Sequence, residues 1–125
     1  DPTIDIVYIA TPHNFHYQNV YDALMSGKSV LCEKPITVSS LESRKLSELA
    51  DSKGLFLMEA MWTYFLPAIL TAKKWVSEGR IGNIKHVKAD FGYPMPYQLE
   101  SREYRKDLAG GCLLSQSLFG FLLSQ

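Results

Sequence analysis

The chain has 125 residues, a length that holds one ordinary domain or parts of two. Lysines plus arginines number 13, as do aspartates plus glutamates, so no net field attracts nucleic acid or an anionic membrane. Cys32 and Cys112 lie far apart without a Cys-x-x-Cys spacing, which argues against a disulfide framework and a zinc site. We therefore expect a cytoplasmic protein that acts on a small molecule, with no nucleic-acid or membrane partner.

The first half of the sequence alternates between strand and helix patterns. Residues 4–10 form a nearly continuous, β-branched apolar run, typical of a strand buried on both faces. Residues 14–26 repeat apolar side chains every three or four positions, with Asn14 as the predicted N-cap and Gly27 just past the end, which predicts an amphipathic helix. Residues 29–33 predict a second strand.

The same alternation continues through the next segment. Ser39 and Glu42 have the spacing of a capping box at a helix start, Gly54 ends that helix, and residues 55–58 predict a third strand. Strand, helix, strand, helix, strand at this spacing predicts a parallel sheet with right-handed crossovers. Residues 1–60 are therefore expected to be half of a doubly wound α/β domain.

The pattern changes after the third strand. Pro67 suits the first turn of a helix that Gly79 ends, and residues 87–93 alternate between apolar and polar side chains, as in a strand of an antiparallel sheet with one wet face. Residues 93–106 are rich in proline, tyrosine and charge and predict a long loop. Residues 61–125 are therefore expected to be the incomplete beginning of an α+β domain with a largely antiparallel sheet.

Polar residues follow each of the three predicted strands. The segments are Thr11-Pro12-His13-Asn14, Glu33-Lys34-Pro35 and Glu59-Ala60-Met61-Trp62. In open parallel sheets, ligands bind in the crevice beyond the carboxyl ends of the strands, where these segments converge. A lysine that leaves a buried strand beside a carboxylate and before a proline is expected to be positioned for a function, so Lys34 is the leading candidate.

Three longer stretches carry a resemblance to a known family. They are residues 5–12 with His16, residues 27–35 and residues 58–62. Together they resemble the two-domain dehydrogenases of the Gfo/Idh/MocA type, which include glucose-fructose oxidoreductase, inositol dehydrogenase and dihydrodiol dehydrogenase; the third stretch looks most like the last of these. The resemblance implies the C-terminal part of a Rossmann-type dinucleotide-binding domain, then a substrate and oligomerisation domain, in a parent expected to form homo-oligomers.

The resemblance also implies a reaction and a site. It implies an oxidoreductase that transfers hydride between NAD or NADP and the CH–OH group of a sugar-like polyol or cyclic diol. Lys34 is expected to be catalytic, because a fixed ammonium beside the substrate oxygen favours the alkoxide character that develops as hydride leaves. The residues expected to contact the cofactor are Thr11, Pro12, His16, Glu33, Lys34, Pro35 and Trp62. The glycine-rich phosphate turn is absent, so the sequence does not choose between NAD and NADP.

The sequence departs from the family near its end. In the family, a glycine stretch like Gly110-Gly111 is usually followed by an aspartate and, four residues later, by a tyrosine or histidine. Ser115 and Phe119 stand at these positions, and Ser117 stands at the usual glycine. A serine cannot serve as a carboxylate and a phenylalanine has no proton to give. Tyr64 likewise stands where an arginine is common.

These departures leave two other hypotheses open. One is a non-catalytic sensor that binds a dinucleotide without turnover. The other is a truncated product without activity, since the chain opens directly before a strand without an initiator methionine and stops inside an apolar run. Both ends are expected to lack neighbouring sequence.

Several candidates also have a structural interpretation. Lys34 could be a strand-end lysine paired with Glu33, and Glu59 could stabilise a turn. Trp62 belongs to a type of residue that is more often found in cores and interfaces. His13 and His16 lack a third ligand, so no metal site is predicted.

Overall fold

The computed structural model describes residues 1–90 and 92–115 of the chain. The strands are β1 (Ile6–Ile9), β2 (Ser29–Cys32) and β3 (Leu57–Glu59). The α-helices are α1 (His16–Met25), α2 (Ser40–Lys53), α3 (Pro67–Ser77) and the single turn α4 (Cys112–Ser115). Short 3-10 helices lie at His13–Phe15, Trp62–Phe65 and Lys106–Leu108. The order of the elements up to β3 confirms the predicted α/β alternation.

The three strands form a parallel sheet in the order β1-β2-β3. Val7 pairs with Val30, and Val30 pairs with Leu57, so the three strands run in step. Backbone hydrogen bonds extend the pairing past the strand ends, from Glu33 N to Ile9 O at 2.8 Å and from Ala60 N to Cys32 O at 2.7 Å. The polar segments that follow the strands therefore leave the sheet side by side.

One hydrophobic core joins the sheet to both crossover helices. It consists of Ile9, Val20, Leu24, Val30, Cys32, Leu46 and Ala50, each at most 5% exposed. The helical members recur at intervals of four residues, Val20 and Leu24 in α1 and Leu46 and Ala50 in α2, so each helix presents one apolar stripe. Burial of these stripes against one face of the sheet fixes where the strand ends lie.

The expectation that the first strand is buried on both faces is wrong. Ile9 is buried, but Ile6 and Tyr8, on the opposite face, are 54% and 58% exposed. Successive crossovers of the same hand between neighbouring strands place α1 and α2 on the same face of the sheet. The other face therefore stays accessible in the described chain.

The first predicted helix cap lies at a different residue, and the second is at the predicted residue but lacks the predicted side-chain hydrogen bond. Asn14 lies inside the 3-10 turn that precedes α1, so Phe15 and not Asn14 is the N-cap residue of α1. Ser39 is the N-cap residue of α2, but its side chain makes no capping hydrogen bond. The Thr37 hydroxyl donates to Ser39 O at 2.7 Å and lies 2.6 Å from the Ser43 hydroxyl, so these two hydroxyls organise the helix start instead.

The predicted helix ends are confirmed. Gly27 and Gly54 follow α1 and α2 with φ of 74° and 62°, a left-handed conformation that favours glycine. Pro67 is in the first turn of α3, and Gly79 lies two residues beyond its end. These helix boundaries are set by glycine and proline, whose backbone preferences can be recognised in the sequence without knowledge of the fold.

The strand predicted over residues 87–93 does not form in the described residues. Residues 84–90 and 92–98 have no regular structure, and Phe91 lies outside the description. An alternating pattern makes a strand only when another strand supplies its backbone hydrogen bonds. The antiparallel sheet and the boundary at residue 60 stay predictions.

None of the helices in the described part of the chain is long and apolar enough to cross a membrane.

Candidate active site

The turn after β2 carries Lys34 and is held from several directions. The Tyr8 hydroxyl donates to Glu33 Oε1 at 2.6 Å, which ties the turn to β1. The backbone N–H of Lys34 donates to Glu33 Oε2 at 3.3 Å, and the Lys34–Pro35 peptide bond is cis. The hydrogen bond to Glu33 raises the pKa of the Tyr8 phenol. Glu33 is therefore oriented as a hydrogen-bond acceptor at the rim, by which we mean the edge of the sheet where the segments after β1, β2 and β3 leave it.

Lys34 is partly buried between groups of both charges. Burial lowers the pKa of its ammonium, and the positive charge of Arg102 lowers it further. Glu33 and Glu59 act in the opposite direction and favour the charged form. Lys34 therefore gives up its proton more readily than an ordinary surface lysine, and its role as the catalytic group stays a prediction.

His16, a predicted cofactor contact, is completely buried at the start of α1. Its Nδ1 lies 2.7 Å from Pro35 O and its Nε2 lies 2.8 Å from Thr11 O. Carbonyl oxygens only accept hydrogen bonds, so a neutral ring donates to one of them and a protonated ring to both. Pro35 is buried as well. Both side chains are therefore enclosed within the described chain, and their roles as cofactor contacts stay predictions.

Glu59 at the end of β3 holds the turn that carries Lys34. Its Oε1 accepts a hydrogen bond of 2.8 Å from the backbone N–H of Ile36. The end of β3 is thereby tied to the turn after β2. The interpretation of Glu59 as a turn-stabilising residue agrees with this contact.

The remaining predicted cofactor contacts are accessible to different degrees. Thr11 and Pro12 are half-buried beyond the end of β1, and the Thr11 hydroxyl accepts a hydrogen bond of 2.9 Å from the amide of Asn19. Trp62 begins the 3-10 helix after β3 and is 52% exposed. Thr11, Pro12, Glu33, Lys34 and Trp62 therefore all retain surface that a ligand can contact, and their roles as cofactor contacts stay predictions.

A cavity of about 340 Å³ opens beside this rim. It is lined by His13, Tyr93, Met95, Arg102, Glu103, Tyr104, Leu108, Gly110, Gly111 and Cys112. His13 Nδ1 lies 3.2 Å from Ala109 O, which joins the rim to the later segment. Burial is the largest influence on His13 and lowers its pKa, with smaller contributions from Arg102 and Lys34 in the same direction. The cavity volume suits a small molecule.

Gly110 is essential to the shape of this wall. A Cβ placed on it would lie 2.3 Å from Arg102 O, 2.8 Å from Glu103 O and 2.9 Å from Arg105 O. Backbone carbonyls cannot swing aside as a flexible side chain can. Of the glycine pair singled out in the sequence, Gly110 is therefore the one that close backbone packing requires.

The accessible groups fit the nicotinamide end of a dinucleotide. The Glu33 carboxylate has lone pairs beyond those used by Tyr8 and the Lys34 N–H, and can accept from ribose hydroxyls. Trp62 offers an exposed aromatic face. In residues 1–90 and 92–115, no three His, Cys, Asp or Glu side chains are grouped so that they could hold a metal ion.

Part of the site falls beyond what the structure describes. Ser115 lies at the end of α4, and its side chain is not described. Ser117 and Phe119 lie outside the described residues. Tyr64 is half-buried in the 3-10 helix after β3, with the Lys73 ammonium 4.8 Å from the centre of its ring.

Sequence reasoning missed Tyr8, Asn19 and Arg102 as parts of the site. Tyr8 was assigned to a buried strand, although its place in an alternating strand would have put it on the face opposite Val7 and Ile9. Arg102 belongs to a segment predicted only as a loop, and no sequence pattern indicated that it lines a cavity together with His13.

Two family models match the chain. One, for the GFO/IDH/MocA oxidoreductase family with an NAD-binding Rossmann fold, matches residues 1–61. The other, for the GFO/IDH/MocA C-terminal domain, matches residues 69–121. The two regions together take in all three parallel strands and the cavity-lining segment.

Individual relatives give the same result. D-xylose 1-dehydrogenase (NADP(+)) of Hypocrea jecorina is 41% identical over 127 residues, covering 95% of this chain and 32% of that protein. Trans-1,2-dihydrobenzene-1,2-diol dehydrogenase of Mus musculus is 37% identical over 119 residues, covering 95% and 35%. The crystal structure of an NAD-binding protein from Listeria innocua superposes with a TM-score of 0.76 at 28% identity, covering 94% and 35%. The chain spans about a third of the length of these relatives.

Proposed function

Because the chain belongs to the GFO/IDH/MocA family of oxidoreductases, we propose that it forms part of a dehydrogenase that oxidises a CH–OH group of a sugar-like polyol or cyclic diol with NAD or NADP. Relatives whose names specify D-xylose and a dihydrodiol as substrates support this substrate class. The observation that carries the proposal is the placement of Lys34, half-buried in a fixed turn where the ends of three parallel strands meet.

Lys34 acts on the substrate oxygen. As hydride leaves the carbinol carbon, negative charge develops on the oxygen, and a fixed ammonium stabilises that charge more strongly in the transition state than in the ground state. Bound nicotinamide supplies the acceptor for the hydride. Glu33 orients the ribose next to it, and the partial burial of Lys34 strengthens its electrostatic effect.

The hydroxyl proton needs an acceptor within the cavity. His13 lines the cavity, and burial lowers its pKa, so the ring is neutral near pH 7. Donation from its Nδ1 to Ala109 O leaves the lone pair on Nε2. His13 is therefore the described side chain best suited to take the proton, in place of the family groups replaced by Ser115 and Phe119.

Replacement of Lys34 tests the proposal in the complete gene product. In Lys34→Met, kcat for polyol oxidation followed by nicotinamide absorbance is expected to fall about 10² to 10³-fold, as for loss of one preorganised charge-stabilising group. Lys45→Met is the control, because Lys45 is exposed on α2 away from the rim. Equal turnover in Lys34→Met and wild type across a polyol panel would overturn the assignment.

A second candidate is a dinucleotide-binding protein without turnover. Ser115 at the aspartate position favours it, because serine cannot act as a carboxylate. Titration calorimetry measures cofactor binding, and nicotinamide absorbance measures turnover. Binding without any turnover supports the sensor, whereas measurable turnover excludes it.

The proposal extends to the state of the complete protein. We place it in a reducing cytoplasm, where the two cysteines remain the free thiols seen in the structure, and as a homo-oligomer. Sedimentation of the complete gene product tests the second part, since a monomer at micromolar concentration would contradict it.

A further inference from the structure

We propose that His16 and Glu59 are positioning residues that clamp the peptide group between Pro35 and Ile36 and thereby orient Lys34. The inference rests on the proposed function, because it concerns the placement of the group that would act on the substrate. Neither residue reaches the rim as a ligand contact in this role. Both act through the backbone of the turn.

The clamp holds both polar atoms of one peptide group. His16 Nδ1 lies 2.7 Å from Pro35 O, and Ile36 N donates to Glu59 Oε1 at 2.8 Å. The carbonyl and the N–H of a trans peptide group point in opposite directions, so the two side chains grip this plane from opposite sides. Rotation of the plane breaks at least one hydrogen bond.

The two side chains come from rigid and separate parts of the fold. His16 is the first residue of α1 and has no exposed surface, and its other nitrogen contacts Thr11 O at 2.8 Å. Glu59 is the last residue of β3. The clamp therefore connects the turn after β2 to the end of β1 through His16 and to β3 through Glu59.

Lys34 precedes the clamped peptide group by one residue. The backbone before Lys34 is fixed by the hydrogen bond from Glu33 N to Ile9 O at 2.8 Å. With the backbone held on both sides, the direction of the Cα–Cβ bond of Lys34 is fixed by the turn. A displacement of about 1 Å in a reacting group can cost on the order of 10² in rate, so the clamp bears directly on turnover.

Matched substitutions test the clamp in the complete gene product. The amide nitrogen of asparagine occupies the place of histidine Nδ1, and that of glutamine the place of Nε2, so His16→Asn keeps the donor to Pro35 O and His16→Gln loses it. Glu59→Gln keeps an acceptor for Ile36 N and Glu59→Met loses it. We expect kcat to fall about 10²-fold in His16→Gln and Glu59→Met but less than about tenfold in the two retaining variants. KM for the cofactor is expected to change little.

A second measurement does not depend on turnover. Reductive methylation with ¹³C-formaldehyde allows the pKa of Lys34 to be read by NMR. Burial lowers this pKa in the intact turn, so loss of the clamp should raise it toward the ordinary lysine value. Glu59→Gln and Glu59→Met remove the same charge, so their comparison isolates the hydrogen bond.

The outcomes separate the inference from the proposed function. If the wild-type protein shows no turnover, the dehydrogenase assignment is removed. If the pKa of Lys34 nevertheless differs within each pair of variants, the clamp is supported. Wild-type turnover with equal kcat in the members of each pair overturns the clamp and leaves the dehydrogenase. If the His16 variants fail to fold, the Glu59 pair, at a half-buried position, decides alone.

Discussion

Cys32 and Cys112 are both free thiols with opposite surroundings. Cys32 has no exposed surface and sits in the core, whereas Cys112 is exposed at the cavity. Burial, with a smaller influence from the carboxylates of Glu59 and Glu33, raises the pKa of Cys32 to about 12. The thiolate is the reactive form, so Cys32 stays protonated and unreactive until the pH approaches that value.

This difference predicts site-selective alkylation. Iodoacetamide at pH 8 should modify Cys112 and leave Cys32 intact, and Cys32 should react only after denaturation in urea. Peptide mass spectrometry at successive times measures both sites in one sample. Equal rates at the two sites in native protein would show that Cys32 is not in the core.

At the scale of single residues, a local sequence pattern singles out Lys34 but not the residues that hold its turn. The position of Lys34 after a predicted strand and before a proline can be recognised from neighbouring residues alone. The contacts from Tyr8, His16 and Glu59 join residues 19 to 25 positions apart in the sequence, and they depend on strand register. Local patterns carry no information about such partners until the sheet is built.

Helix α2 shows how one face of an element carries its stability. Leu46 is completely buried in the core, and Leu41, earlier on the same helix, is 61% exposed. The two leucines have the same chemistry and opposite environments, which makes them a matched pair.

Truncation of these leucines should have very different effects. Leu46→Ala is expected to lower the free energy of unfolding by about 2–5 kcal/mol, through lost burial and the cavity left behind. Leu41→Ala should change it by no more than about 0.5 kcal/mol, as for an exposed position. Chemical denaturation followed by circular dichroism gives both values. A large loss in Leu41→Ala would mean that this surface is covered.

Among the elements, sequence predicted those whose signals are local. Gly27 and Gly54 correctly predicted the ends of α1 and α2, because few other residues adopt the left-handed conformation easily. The capping box is absent although Ser39 is the N-cap residue, and hydroxyls of Thr37 and Ser43 make the side-chain hydrogen bonds at this helix start. The strand over residues 87–93 failed because alternation gives no partner strand.

The whole molecule divides into a packed part and an extended part. Residues 6–59 form the sheet and its two helices, whereas residues 83–90 and 92–98 have no regular structure, and all of these except Met95 are exposed. Segments with few buried contacts open at low free energy.

Limited proteolysis should follow this division in the 125-residue chain. Trypsin is expected to cut first after Lys85 or Lys88, which are exposed in the extended segment. Arg44 and Lys45 are equally exposed but lie within α2, where the helical backbone resists cleavage, and they serve as internal controls. Early cleavage in α2 would contradict the packing of that helix.

The short hydrogen bond from Tyr8 to Glu33 also has a spectroscopic consequence. A phenol that donates to a carboxylate absorbs and fluoresces differently in the near ultraviolet from one that donates to water. A ligand that draws Glu33 toward itself would therefore alter the signal of Tyr8, and a Tyr8→Phe variant would identify that contribution among the seven tyrosines. Tyr8 can therefore serve as an intrinsic spectroscopic probe of ligand binding at the rim.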